Sequence, residues 1–70
     1  MTLDDYRIEC RWSKNELARQ ARIDTSTLNR AFKGIPVSSD TARKLARAIS
    51  DELGRPISVE QIEGLKIIDQ

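Results

Sequence analysis

The length, composition and charge of the chain restrict it to one small domain without disulfide bonds. It has 70 residues, of which 39% are hydrophobic and 33% charged, an ordinary mixture for a soluble globular unit. A single cysteine, Cys10, and the lack of histidine exclude an intrachain disulfide and a structural zinc site. Apolar runs never exceed two residues and no signal segment is visible. We therefore expect no membrane span and a cytoplasmic location.

Charge is unevenly distributed along the chain, although the net charge is only +1. Residues 11–47 contain nine basic and three acidic residues, a net charge of +6. Residues 51–70 contain two basic and five acidic residues, a net charge of −3, and the first ten residues carry −2. A basic middle between acidic ends suggests one positive face rather than a uniformly positive surface.

Two short helices are predicted in the first third of the chain. Apolar residues near a 3.6-residue period predict a first helix over about residues 3–11. Ser13 and Glu16 have the spacing of a capping box, in which the Ser13 hydroxyl accepts from the Glu16 amide and the carboxylate accepts from the Ser13 amide. The second helix is therefore predicted over Lys14–Ala21.

A third helix is predicted to begin after Asp24, whose short carboxylate suits an N-cap. It runs to about residue 33, with Leu28, Ala31 and Phe32 on its apolar side. Gly34 follows where a glycine in the left-handed region would end the helix.

The remaining residues predict one long helix and one short helix. Ser38 or Ser39 caps the long helix, which extends to about Leu53. Ser58 and Gln61 have capping-box spacing, so a fifth helix is predicted to start nearby, while residues 65–68 remain ambiguous between helix and strand. The predicted fold class is all-α: a single domain over residues 1–70, with a core of about residues 3–63 and an unassigned tail.

The tight connection between the second and third helices is the most informative feature of the sequence. Only Arg22, Ile23 and Asp24 separate the two helices. Ala18 and Ala21 are small enough to let the helices cross closely at a steep angle. The third helix is apolar on one side only, and its other side carries hydroxyl, amide and basic groups.

Three segments, Ser13–Ala21, Ile23–Arg30 and Lys33–Gly34, together resemble the helix-turn-helix of phage-repressor (Cro- and lambda-repressor-like) DNA-binding domains. The resemblance continues through Leu45–Ile49, which is similar to the family's fourth helix, and covers nearly the whole chain. It implies a compact five-helix lambda-repressor-like domain with the helix-turn-helix at about residues 14–33. It also implies sequence-specific binding of double-stranded DNA by a transcriptional regulator, with the third helix in the major groove.

The chain departs from the family pattern at two positions. Arg22 stands at the turn position that the family often fills with glycine, and there it could meet a phosphate. Phe32 stands where relatives often have an acidic residue, so the ion pair of that acid is absent and Phe32 is expected to pack into the core.

The resemblance, together with side-chain chemistry, selects ten candidate DNA-contacting residues. The expected base-reading residues are Thr25, Ser26, Thr27, Asn29 and Arg30. The expected phosphate-binding residues are Lys14, Arg19, Arg22, Lys33 and Lys44. The plainer alternative is that these groups are the first turn of a helix or solvated surface. Arg43 and Arg47 are weaker candidates, because they fit one wet face of a long helix.

We expect a homodimer on a palindromic site, with the tail after Gly64 as the dimer element. No catalytic residue, metal, cofactor, small-molecule ligand or membrane partner is expected, because no nucleophile–base pair and no glycine-rich phosphate loop is present. The alternative function is a protein-interaction adaptor, antitoxin-like or a phage accessory module, which keeps the scaffold without binding DNA. The near-neutral net charge and the acidic last third favour that alternative modestly.

Overall fold

The computed structural model describes residues 1–68. Four α-helices, one 3₁₀ turn and two very short strands make up the fold. In chain order they are α1 (Leu3–Glu9), α2 (Lys14–Ala21), α3 (Thr25–Phe32), β1 (Val37–Ser38), α4 (Ser39–Leu53), the 3₁₀ turn (Val59–Gln61) and β2 (Ile67–Ile68). None of these helices has the length and apolar character needed to cross a bilayer.

The predicted count of five helices is wrong. The segment after Ser58 makes a single 3₁₀ turn, because Ile62 already adopts an extended conformation with φ −92° and ψ 102°. Beyond it, Ile67 and Ile68 pair in parallel with Val37 and Ser38, so the ambiguous tail contains a strand. The fold is therefore mainly helical with a small strand pair, and residues 69–70 of the predicted tail lie outside the described part.

Hydroxyl groups cap three of the four α-helices. The side chains of Thr2, Ser13 and Ser38 each accept a hydrogen bond from the amide three residues later, at 3.1–3.2 Å. The capping box predicted at Ser13 is half formed, because the Glu16 carboxylate accepts from the Gln20 side chain instead (2.8 Å). The N-terminal end of α1 was predicted without its Thr2 cap, and its C-terminal end lies at Glu9 rather than near residue 11.

The core lies where α4 packs against α2, with α3 and β1 closing its sides. Four large side chains are completely buried there: Leu17, Leu28, Leu45 and Ile49. Cys10 belongs to the same buried cluster as a small apolar group. Because α2 and α3 each contribute one apolar side to this core, their opposite sides face outward.

The segment after α4 is held by one serine hydroxyl and by backbone pairing. Ser50 Oγ accepts from the Ile57 amide (2.8 Å) and donates to the Ala46 carbonyl oxygen (2.7 Å). Further on, the Glu63 amide donates to the Met1 carbonyl oxygen at 2.9 Å. These contacts hold the segment after α4 against α4 and against Met1, which precedes α1.

Candidate nucleic-acid interface

The turn between α2 and α3 contains one residue with left-handed backbone geometry. Arg22 lies in the left-handed region with φ 59° and ψ 46°. The Ile23 amide then donates to the Ala18 carbonyl oxygen at 3.0 Å, which fastens the turn to the end of α2. Ala18 and Ala21 are both buried, so the two helices approach each other through small side chains. The turn therefore fixes the direction of α3 relative to α2.

Helix α3 is anchored by one side and exposes the other. Leu28 and Ala31 are buried in the core, and Phe32 packs half-buried against it. Four of the five predicted base-reading residues are exposed: Thr25, Ser26, Asn29 and Arg30. The first three carry hydroxyl or amide groups, and the fourth carries a guanidinium group. Their spacing puts them on one side of the helix, and the exposed Lys33 continues the same side. Thr27 is half-buried and lies off this outward side.

Lys14 lies close to the end of α3, although it belongs to α2. Its Nζ atom is 5.0 Å from the centroid of the Phe32 ring, within the range of a cation–π contact. The sequence predicted Phe32 as a core residue, but the ring has this second role at the surface. Lys14 is the first residue of α2, so this contact connects the start of α2 to the end of α3.

The other predicted phosphate-binding residues differ in whether they already have an anionic partner. Arg19 pairs with Glu16 at 3.4 Å, and Lys44 pairs with Asp40 at 3.3 Å. Glu16 is half-buried, and the other three residues of these pairs are exposed. Surface pairs of this kind contribute at most about 1 kcal/mol, so a phosphate could replace either carboxylate at small cost. Arg22 and Lys33 are exposed and form no ion pair with any carboxylate of residues 1–68.

A surface cleft joins the turn to α4. It has a volume of about 540 Å³. Its lining residues are Gln20, Ala21, Arg22, Lys44, Arg47, Ala48 and Asp51. The structure thus brings two predicted phosphate-binding residues to one cleft and adds Arg47, a weaker candidate at the sequence level. The sequence places Arg47 one turn after Arg43 and Lys44, but this position could not reveal that Arg47 lines the same cleft as Arg22.

Within residues 1–68, no three His, Cys, Asp or Glu side chains come close enough to hold a metal ion. Burial raises the pKa of the Cys10 thiol, and the charges of Glu52 and Glu9 raise it further. The thiol is thus less reactive than a free cysteine.

Comparison with known proteins agrees with this geometry. A helix-turn-helix family model matches residues 3–58, which include all four α-helices and the outward side of α3. A search of curated proteins and a search of solved structures each returned no match. The chain belongs to the Cro/C1-type helix-turn-helix family, whose members are DNA-binding transcription regulators.

Proposed function

We propose that this protein binds double-stranded DNA sequence-specifically, as a transcriptional regulator of the phage-repressor type, with α3 in the major groove. The observation that carries the proposal is the two-sided character of α3. Leu28 and Ala31 fix the helix to the core, while hydrogen-bonding and basic side chains face solvent along its whole length. An α-helix fits the major groove, where each base pair presents a distinct pattern of donors and acceptors. The cytoplasm is the proposed compartment of action.

The exposed side chains of α3 have chemistry that suits base edges. Arg30 can donate two hydrogen bonds to O6 and N7 of guanine, and Asn29 can pair with N6 and N7 of adenine. Ser26 and the methyl group of Thr25 can meet thymine. Thr27 is the weakest of the five proposed base-reading residues, because it is half-buried.

Phosphate contacts are proposed at two places close to α3. Lys14 and the amides at the start of α2 form one site, in which the Phe32 ring restricts the lysine side chain. Arg22 and Lys44 form a second site at the cleft beside α4. Arg19 and Lys33 complete the proposed set. Such contacts set the register of the protein on the duplex without reading its sequence.

A homodimer on a palindromic site is proposed because one small domain makes few base contacts. Half-site centres should lie about one helical turn, roughly 34 Å, apart. Ile67 and Ile68 are 38% and 49% exposed, and within residues 1–68 strand β2 pairs with β1 on one side only. We place the dimer contact there. Sedimentation that shows a strict monomer at micromolar concentration, with and without DNA, would exclude it.

Selection of bound sequences from a random pool of duplex DNA tests binding, specificity and palindromy together. We expect a selected consensus with two inverted half-sites. Affinity should fall linearly on a log–log plot against salt concentration, with a slope of about −0.9 for each phosphate contacted.

The protein-interaction adaptor remains the second candidate, favoured by a cleft of about 450 Å³ with a mixed lining. Four of its lining residues are apolar and three are polar or charged: Val59, Ile62, Leu65 and Ile67, and Ser39, Arg43 and Glu60. An adaptor would not be retained on heparin or duplex DNA at low salt, and that result would replace the regulator proposal.

A further inference from the structure

Asp24 occupies the capping position of α3 without capping it. Its backbone has the extended geometry of an N-cap, with φ −70° and ψ 148°, but its carboxylate accepts no hydrogen bond from the first turn of the helix. Thr2, Ser13 and Ser38 all make that bond at the other α-helices. The carboxylate is therefore not used for the local role that its position suggests.

Asp24 also differs from the two other acidic residues of the basic middle of the chain. Glu16 is paired with Arg19, and Asp40 is paired with Lys44. Asp24 is exposed and forms no ion pair within residues 1–68. It directly precedes Thr25, at the end of α3 that lies closest to the base edges in helix-turn-helix binding. A carboxylate without an ion-pair partner in the described part of the chain therefore lies at the N-terminal end of the proposed reading helix.

A carboxylate at this place has few favourable partners on DNA. It is repelled by phosphates, and it carries only hydrogen-bond acceptors. In the major groove, guanine presents two acceptors, and thymine presents an acceptor and a methyl group. Adenine presents a donor next to its N7 acceptor, whereas cytosine presents only the N4 donor. Cytosine is thus the one base that presents a hydrogen-bond donor, and no acceptor, to a carboxylate in the major groove.

We propose that Asp24 is a further specificity-determining residue, which accepts a hydrogen bond from N4 of a cytosine next to the base pairs that Thr25 and Ser26 contact. The proposal rests on the proposed function, since it requires α3 to enter the major groove. Asp24 then has two effects. It favours cytosine at one position, and it disfavours guanine and thymine there because their acceptors face a negative charge. A good side-chain–base pair of this kind discriminates by about 5- to 150-fold.

The test compares the wild type with Asp24→Ser in selection from random duplexes, followed by affinity measurements on four duplexes that differ at one base pair. Serine keeps an N-cap hydroxyl and removes the charge, so α3 is retained. We expect the wild type to prefer cytosine at one position by about 5- to 150-fold, and Asp24→Ser to lose that preference alone. Circular dichroism melting verifies that the variant folds.

Asp40→Ser is the matched control, because it removes one exposed negative charge from the first turn of α4. It should leave every base preference unchanged. If Asp24→Ser instead binds all sequences more tightly and keeps every preference, Asp24 only repels phosphates and the inference is wrong. If the wild type itself selects no sequence, the proposed function is wrong. This outcome is distinguishable from a failure of the Asp24 inference, because it is observed with the wild type alone.

Discussion

Replacing Arg22 by glycine should stabilise the fold and weaken DNA binding at the same time. Arg22 has φ 59°, in the left-handed region, where a residue with a Cβ atom loses about 1–2 kcal/mol. Glycine removes this cost but has about 0.4–1 kcal/mol more conformational entropy to lose on folding. The difference predicts a gain of about 1 kcal/mol, which corresponds to a rise in Tm of about 4–8 °C for a domain of this size.

The same substitution removes a guanidinium group from the cleft beside α4. Binding should weaken for all sequences alike, and the salt slope should fall by about one unit. Thermal melting and DNA titrations at several salt concentrations measure the two effects separately. We expect Tm to rise and DNA affinity to fall, because the strain belongs to the backbone of Arg22 and the phosphate contact to its side chain.

Arg11→Gly is the internal control for this experiment. Arg11 has φ 61°, almost the same backbone strain, but it is not among the proposed phosphate contacts. It should raise Tm by a similar amount and leave the salt slope unchanged. A lower Tm for Arg22→Gly would refute the strain argument, and an equal loss of slope in both variants would refute the assignment of Arg22 to a phosphate.

Three further outcomes are expected. Arg30→Ala should relax the preference at one base pair and reduce the binding free energy on the specific site by about 1–3 kcal/mol. Lys14→Ala should weaken binding to all sequences equally. If both variants lose affinity equally for all sequences, Arg30 reads no base. Ser50→Ala should lower stability by about 1–3 kcal/mol, since it leaves the buried Ile57 amide without its partner, and an unchanged urea midpoint would contradict this. Cys10 should resist alkylation in the native state near pH 7. Because folding raises the pKa of the thiol, the free energy of unfolding should fall as the pH rises above 9.0, the ordinary pKa of cysteine. Cys10→Ala should not show this loss.

The helix-turn-helix itself could be predicted closely from the sequence. The bounds of α2 agree with the prediction, and α3 ends one residue earlier than predicted. The left-handed conformation of Gly34 was also anticipated, whereas that of Arg22 is a finding of the structure. These features depend on signals within one or two helical turns, such as a capping hydroxyl, a glycine stop and an apolar stripe, so they can be recognised without knowing what else the helix contacts.

The state of individual site residues was less predictable, because each depends on a neighbour in space. The spacing of Ser13 and Glu16 suggested a full capping box, but Gln20, one turn later, competes for the same carboxylate. The unused carboxylate of Asp24 could not be distinguished from a working cap by its position alone. Phe32 was assigned to the core, yet Lys14 from the preceding helix covers its ring.

Local sequence signals alone determined the four α-helices, the apolar side of each and the basic character of the middle of the chain. Tertiary structure decided the fate of the residues after α4. The Ser50 hydroxyl, seven residues before Ile57, and strand β1, thirty residues before β2, hold the backbone there. A single 3₁₀ turn replaces the predicted fifth helix. A short segment between Pro56 and Gly64 has too few residues to stabilise its own helix, so its conformation follows from the partners that the folded chain brings to it.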